Sequence, residues 1–151
     1  MFDCLVGGLD GTVEVVEGDP GLGFTCEVDS GTAGEVVFLV GTPVTVVAET
    51  DAVLAFEHTR PSYPVHIVVV PKQHTPSLVD LGEGGEELLA EVMRTVREVA
   101  KQVEQEYGAC SVTTNLGRYQ ESKHQHWHIC YRGETDAEIT AMHGAHEGKT
   151  P

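Results

Sequence analysis

A run of alternating histidines, from His124 to His128, is the part of the sequence with the clearest capacity for chemistry. If the run forms a β-strand, His124, His126 and His128 lie on one face, with about 6.5–7 Å between successive positions. Three imidazoles make poor core material, because each buried ring brings nitrogens that need hydrogen-bond partners. They suit a phosphate site, where imidazole can serve as nucleophile, hydrogen-bond donor and proton carrier near neutral pH.

Two other interpretations of the run stay open on spacing alone. Alternate histidines of a strand can ligate zinc, with His66 or an acidic residue as a third ligand. The histidines could also form an incidental surface cluster. Spacing therefore favours catalysis over a metal site only narrowly.

Strand and turn signals dominate the chain before the histidine run. Short β-branched stretches alternate with Gly, Asp and Pro, which indicates strands separated by turns. Two further strands are expected at Ala52–Phe56 and at His66–Val70, the second ended by Pro71. The earlier strands are expected at Val13–Val16, Phe24–Val28, Val36–Val40 and Val44–Ala48.

One clear helix is expected over Glu86–Tyr107, with Gly108 as its C-cap. Its apolar side chains recur at intervals of three and four residues and form one stripe. Strands are expected at Cys110–Asn115 and His124–Tyr131, and a surface segment or frayed tail from Gly133 onward. The stripe consists of Leu88, Leu89, Val92, Met93, Val96, Val99 and Val103.

This order of elements predicts an α+β domain with a largely antiparallel sheet and one long helix. A chain of 151 residues fits one domain. We divide it into a β-rich N-terminal extension packed on the same domain (residues 1–50), a catalytic core (51–132) and a C-terminal tail (133–151).

Composition excludes several function classes. The formal net charge of −15 argues against broad binding of a nucleic acid backbone. No apolar run reaches the roughly 20 residues that a membrane helix requires. The start of the chain has no basic region before an apolar stretch, so we expect no secretory signal and a cytoplasmic location.

Two stretches carry a resemblance to a known family. Residues 124–130 read HQHWHIC, and residues 64–74 read PVHIVVVPKQH, preceded by VLAF at residues 53–56. Both resemble motifs of the histidine triad (HIT) family of nucleotide hydrolases and transferases, in the same order along the chain. The resemblance covers roughly residues 50–132 and implies a HIT-like fold. Gln125 departs from it, since the family usually has an apolar side chain there.

The resemblance implies roles for four histidines. His126 would attack the α-phosphorus of a nucleoside phosphate derivative, either a phosphoramidate or a dinucleoside polyphosphate, and form a nucleotidyl-histidine intermediate. Water or another acceptor would then release the nucleotide. His124 and His66 would keep the nucleophile's surroundings in the right protonation state. His128 would donate a hydrogen bond to a phosphate oxygen in the transition state.

The resemblance also implies substrate contacts. Asn115 and Gln120 match positions that contact the phosphate and the leaving group, and Ser122 could assist the leaving group. Phe56 matches a position that packs against the base. His58 stands where many members carry an acidic or amide residue that holds the ribose hydroxyls, so the usual ribose contact is altered here.

The chemistry implied requires no metal, although a divalent cation could accompany a polyphosphate substrate. The expected partners are a nucleotide substrate and a second copy of the chain, because members are commonly homodimers and the long helix offers a pairing surface. Three alternatives stay open: a non-catalytic nucleotide-binding module, a specialised transferase acting on a metabolite, and a zinc-dependent enzyme that uses His124, His126 and His66.

Overall fold

The computed structural model describes residues 2–7, 13–17, 44–120 and 124–144, the first two ranges in their secondary structure alone. Strands β1 (Phe2–Gly7) and β2 (Val13–Glu17) form an antiparallel two-stranded sheet. Strand β2 confirms the expected strand at residues 13–16, whereas β1 was not expected. The strands expected at Phe24–Val28 and Val36–Val40 lie outside the described residues.

A five-stranded sheet and one long helix form the body of the fold. The strand order is β3-β4-β5-β7-β6, and every neighbouring pair is antiparallel. This confirms the expected α+β architecture. The strands are β3 (Val46–Glu49), β4 (Val53–Glu57), β5 (Val65–Pro71), β6 (Ser111–Thr114) and β7 (Trp127–Tyr131), and the helix is α1 (Gly85–Tyr107).

The apolar stripe of α1 packs against one face of the sheet. Its valines at positions 92, 96, 99 and 103 are buried, while Leu88, Leu89 and Met93 are half-buried. The helix ends at the expected cap, since Gly108 has a left-handed φ of 80° and its N–H donates to the Glu104 carbonyl. Among the described residues, no helix is both long and apolar enough to cross a membrane.

Strand alternation separates the core from the opposite face of the sheet. Ile67 of β5 is paired with Ile129 of β7, and both belong to the core beneath α1. Side chains alternate along a strand, so His66 and His128 point to the opposite face. The two histidines occupy diagonal positions on neighbouring strands, which brings their rings together.

The final strand begins at Trp127, so the expectation of a strand from His124 was wrong. Before Trp127, backbone groups form hydrogen bonds to a loop and to a side chain instead of to a neighbouring strand. The Gln125 N–H donates to the Thr75 carbonyl over 2.6 Å, and the His124 carbonyl accepts from a histidine ring. Consequently His128 lies in the strand, whereas His124 and His126 lie in the segment that leads into it.

A second helix, α2 (Asp136–Gly144), occupies part of the expected C-terminal tail. It lies on the surface, as expected, but the tail is helical there rather than frayed. Thr135 and Glu138 form a reciprocal cap: the Thr135 N–H donates to the Glu138 carboxylate, and the Glu138 N–H donates to the Thr135 hydroxyl. This spacing is the capping-box signature of a helix start, so the sequence carries a local signal for α2.

Candidate active site

His126 is buried and its ring is oriented by the backbone. Its Nδ1 lies 2.8 Å from the carbonyl oxygen of His124. Because a carbonyl only accepts hydrogen bonds, Nδ1 must donate, and the neutral ring then keeps its lone pair on Nε2. The carbonyl of His126 itself accepts from the Thr114 hydroxyl over 2.7 Å, which ties this segment to β6. The ring is therefore held in the form that a nucleophile needs.

His124 is oriented by a different backbone group. Its Nε2 donates to the Pro71 carbonyl over 2.8 Å, so Nδ1 of the neutral ring can only accept. The Nδ1 of His74 lies 3.3 Å away and supplies the proton for that contact. His74 is half-buried and belongs to this cluster, although no role was predicted for it. It stands at the end of the PVHIVVVPKQH stretch that resembles the family motif, and that position could have indicated a role.

His66 and His128 form a hydrogen-bonded pair on the face of the sheet opposite α1. The Ser62 N–H donates to Nδ1 of His66 over 3.2 Å, so the proton of the neutral His66 ring is on Nε2. That Nε2 lies 2.9 Å from Nδ1 of His128 and donates to it. The proton of His128 is then on its own Nε2. The ring of His126 meets His128 edge-on, with 5.0 Å between their centroids.

His58 joins this group from the end of β4. Its backbone N–H donates to the His66 carbonyl over 2.8 Å, and its Nδ1 accepts from the Arg60 N–H over 2.9 Å. The ring stacks on His66 with 4.2 Å between centroids and lies 6.1 Å from His128. His58, His66 and His128 therefore form one continuous cluster of imidazoles.

Burial keeps these rings neutral. It lowers the pKa of His124 to about 3. Burial also lowers the pKa of His128 to about 3, with repulsion from His126 and His66 acting in the same direction. The pKa of His58 falls to about 4 for the same reasons, burial first and then the neighbouring His66 and His126. Burial lowers the pKa of His66 as well.

Four other residues were predicted to contact the substrate, and three of them lie in the described part of the chain. Phe56 is only 1% exposed and shares the face of His128 through its pairing with Val68. Gln120 is buried, and its amide donates to the Pro76 carbonyl and to the His124 carbonyl. Asn115 is half-buried directly after β6. Ser122 lies outside the described residues.

The three histidines whose ring nitrogens lie close together differ from the three that were expected to bind zinc. In the described part of the chain, the group of three side chains with ligand atoms within 4.8 Å of one another is His58, His66 and His128. The expected set of His124, His126 and His66 is not such a group.

Comparison with known proteins decides the family. Residues 41–135 match the HIT domain. The chain belongs to the HIT family. This confirms the resemblance carried by the two motifs, and the histidine cluster lies within the matched residues.

Similar HIT proteins come from diverse bacteria. An uncharacterized HIT-like protein of Synechococcus elongatus is 38% identical over 60 residues, 40% of this chain and 53% of the relative, so the match spans about half of that relative's length. The structure of a histidine triad protein from Clostridium difficile has a TM-score of 0.54 at 34% identity, covering 62% of this chain and 84% of that one. A HIT family hydrolase from Legionella pneumophila has the same TM-score at 29% identity, covering 62% and 85%.

Proposed function

We propose that this HIT protein is a nucleotide hydrolase or nucleotidyltransferase that cleaves at the α-phosphate of a nucleoside phosphate derivative. The observation that carries the proposal is the hydrogen bond from His126 Nδ1 to the His124 carbonyl, which leaves a nucleophilic lone pair on Nε2. Family membership supports nucleotide chemistry, and the name of the Legionella pneumophila neighbour supports hydrolysis.

In the first step, Nε2 of His126 attacks the α-phosphorus. A phosphorus–nitrogen bond forms while the bond from phosphorus to the leaving group breaks. A polyphosphate leaves as an anion, and an amine leaves after taking up a proton from solvent. In the second step, water or another acceptor attacks the same phosphorus, its proton is released, and His126 regains its lone pair.

The surrounding groups stabilise the charges that develop. When Nε2 attacks, the His126 ring becomes cationic, and its Nδ1–H bond to the His124 carbonyl strengthens. The proton on Nε2 of His128 can be donated to a phosphate oxygen, because Nδ1 of that ring is occupied by His66. These hydrogen bonds come from neutral imidazole rings, although the chain as a whole has a formal net charge of −15.

The remaining roles are part of the same proposal. Asn115 and Ser122 contact the phosphate or the leaving group, and Phe56 contributes to the base side of the site. Gln120 braces the loop through the Pro76 carbonyl while it completes the phosphate surroundings. His58 stands near the ribose. The substrate is a phosphoramidate or a dinucleoside polyphosphate, and no metal is required for the two steps.

The His126→Asn variant tests this function against a non-catalytic nucleotide-binding module. We expect turnover of adenosine and guanosine phosphoramidates or dinucleoside polyphosphates to be lost, with nucleotide affinity retained, because Asn removes the nucleophile and little else. The matched control is His143→Asn, which changes an exposed histidine of α2 and leaves turnover intact. A parent protein that binds these nucleotides but turns none of them over would contradict the proposal.

A further inference from the structure

We propose that His58, His66 and His128 form a binding site for a divalent metal ion of the zinc class. One ring nitrogen from each histidine lies within 4.8 Å of the others. The His66 Nε2 and the His128 Nδ1 are already 2.9 Å apart. Tetrahedral zinc with bonds of about 2.0–2.1 Å holds its ligand nitrogens about 3.3–3.4 Å apart, so the rings must turn and shift to complete the geometry.

The ligand chemistry selects the class of metal. All three donors are imidazole nitrogens, which suit zinc, copper, nickel and cobalt, whereas magnesium and calcium take oxygen ligands. Three protein ligands leave one position of a tetrahedral ion for water or a substrate oxygen. His126 meets His128 edge-on at 5.0 Å, so an ion bound to His128 would lie near the proposed nucleophile.

Metal binding requires a change of tautomer at two of the ligands. In the described structure Nδ1 of His58 accepts from the Arg60 N–H, and Nδ1 of His66 accepts from the Ser62 N–H. Ligation through Nε2 places the proton of each ring on Nδ1, so both N–H groups must turn to water. Arg60 and Ser62 are exposed, which makes that exchange accessible. This change of tautomer distinguishes the metal-bound protein from the metal-free protein in NMR spectra of the ring nitrogens.

The same ligation bears on the proposed phosphate chemistry. It uses the lone pair of His128 Nδ1, which otherwise accepts the hydrogen bond of His66, and it leaves the Nε2 proton of His128 in place. The ion therefore replaces His66 as the group that keeps His128 a donor at Nε2, and its fourth position is available to a phosphate oxygen. This consequence rests on the proposed function, whereas binding of the metal does not.

Titration of the chelator-treated full-length protein with Co²⁺ tests the site directly. We expect one equivalent to bind with the visible absorption of tetrahedral cobalt, and Zn²⁺ to displace it. In His58→Asn the affinity for Co²⁺ should fall at least about tenfold. Loss of a residue that only supports a metal ligand already costs about that factor, and His58 would be a ligand itself. His143→Asn should bind as the parent does, and so should His74→Asn.

A second measurement does not depend on any variant. Long-range ¹H–¹⁵N spectra of the parent protein should show the His66 proton on Nε2 without metal and on Nδ1 with Zn²⁺ bound. The proposal is overturned if Co²⁺ does not bind saturably, if its affinity survives His58→Asn, or if His74→Asn weakens it instead. Metal binding without any nucleotide turnover would sustain the site and defeat the proposed function alone.

Discussion

The position of the proton on each imidazole decides what each histidine can do. His126 and His128 are two residues apart in the sequence, yet opposite nitrogens carry their protons. Nδ1–H of His126 donates to a main-chain carbonyl, and the His66 ring donates to Nδ1 of His128. In the proposed function, one ring is therefore the nucleophile at Nε2, and its neighbour is the donor at Nε2.

Removal of the His66 ring should impair turnover without preventing nucleotide binding. In His66→Asn the Nδ1 of His128 loses its donor, and the proton of His128 is no longer confined to Nε2. We expect kcat to fall by about 10²-fold or more, the range of a lost proton-handling group, with a smaller change in KM. Steady-state kinetics across pH would measure it.

Ser62→Ala is the matched control for this prediction. It changes the neighbouring side chain but keeps the main-chain N–H that orients His66, so its kinetics should follow the parent. A His66→Asn protein with parental kcat would show that the pair does not orient His128.

The sequence could predict that certain histidines lie close together, but not how their rings are oriented. The family resemblance brought together His66, His126 and His128, and strand alternation places His66 and His128 on one face. The role of His74 depends on the path of the loop after β5, which returns to His124 only in three dimensions. The tautomers depend on carbonyls that local patterns do not place, such as that of Pro71.

At the scale of elements, the segment from His124 to His126 differs most from expectation. Alternating residues favoured a strand from His124, but the backbone there bonds to the loop at Thr75 and to a histidine ring. The helix α1 was predictable, because its period and its Gly108 cap are local signals. The start of β7 was not, because side-chain and loop contacts outside the strand determine it.

Replacing Gln125 with leucine should stabilise the protein. Gln125 is 1% exposed, and among the described residues its Nε2 has no hydrogen-bond partner. A buried amide group without a partner costs about 1–3 kcal/mol, so an apolar side chain of similar size should raise the free energy of unfolding by about 1 kcal/mol. Urea unfolding would measure the change.

Gln120→Leu is the matched comparison and should lower the free energy of unfolding, because the amide of Gln120 donates to the Pro76 carbonyl. Equal effects of the two substitutions would contradict the argument.

For the whole molecule, the buried histidines make stability depend on pH. The pKa of His124 is about 3 in the folded protein, whereas an unperturbed imidazole has a pKa of about 6.5, so the unfolded chain binds more protons between these values. The stability contributed is complete above about pH 6.5 and is lost as pH falls toward 3, by up to about 1.4 kcal/mol per pH unit.

Urea unfolding at about pH 7 and about pH 5 checks the sign and size of this effect. The parent protein should be less stable at the lower pH. In His124→Asn that difference should shrink, whereas in His143→Asn it should not. An unchanged difference in His124→Asn would show that other groups set the pH dependence.

The homodimer expected from the family stays a prediction. In the five-stranded sheet β6 is an edge strand, and an edge presents unpaired backbone groups that a second copy could use. Beside it, Val112 is 41% exposed and lines a groove of about 570 Å³ together with Arg94, Arg97 and Lys101 of α1. Sedimentation should give the mass of a dimer for the parent and of a monomer for Val112→Lys; a monomeric parent would contradict it.

The nucleophilic role of His126 is tested most directly by trapping the covalent intermediate. The protein is mixed with a substrate labelled in the α-phosphate, quenched within one turnover, digested and analysed by mass spectrometry. We predict one labelled nucleotidyl group on the peptide that contains His126, bonded through Nε2, and no such adduct in His126→Asn. Turnover without an adduct on this residue, or an adduct that persists in the variant, would contradict the account.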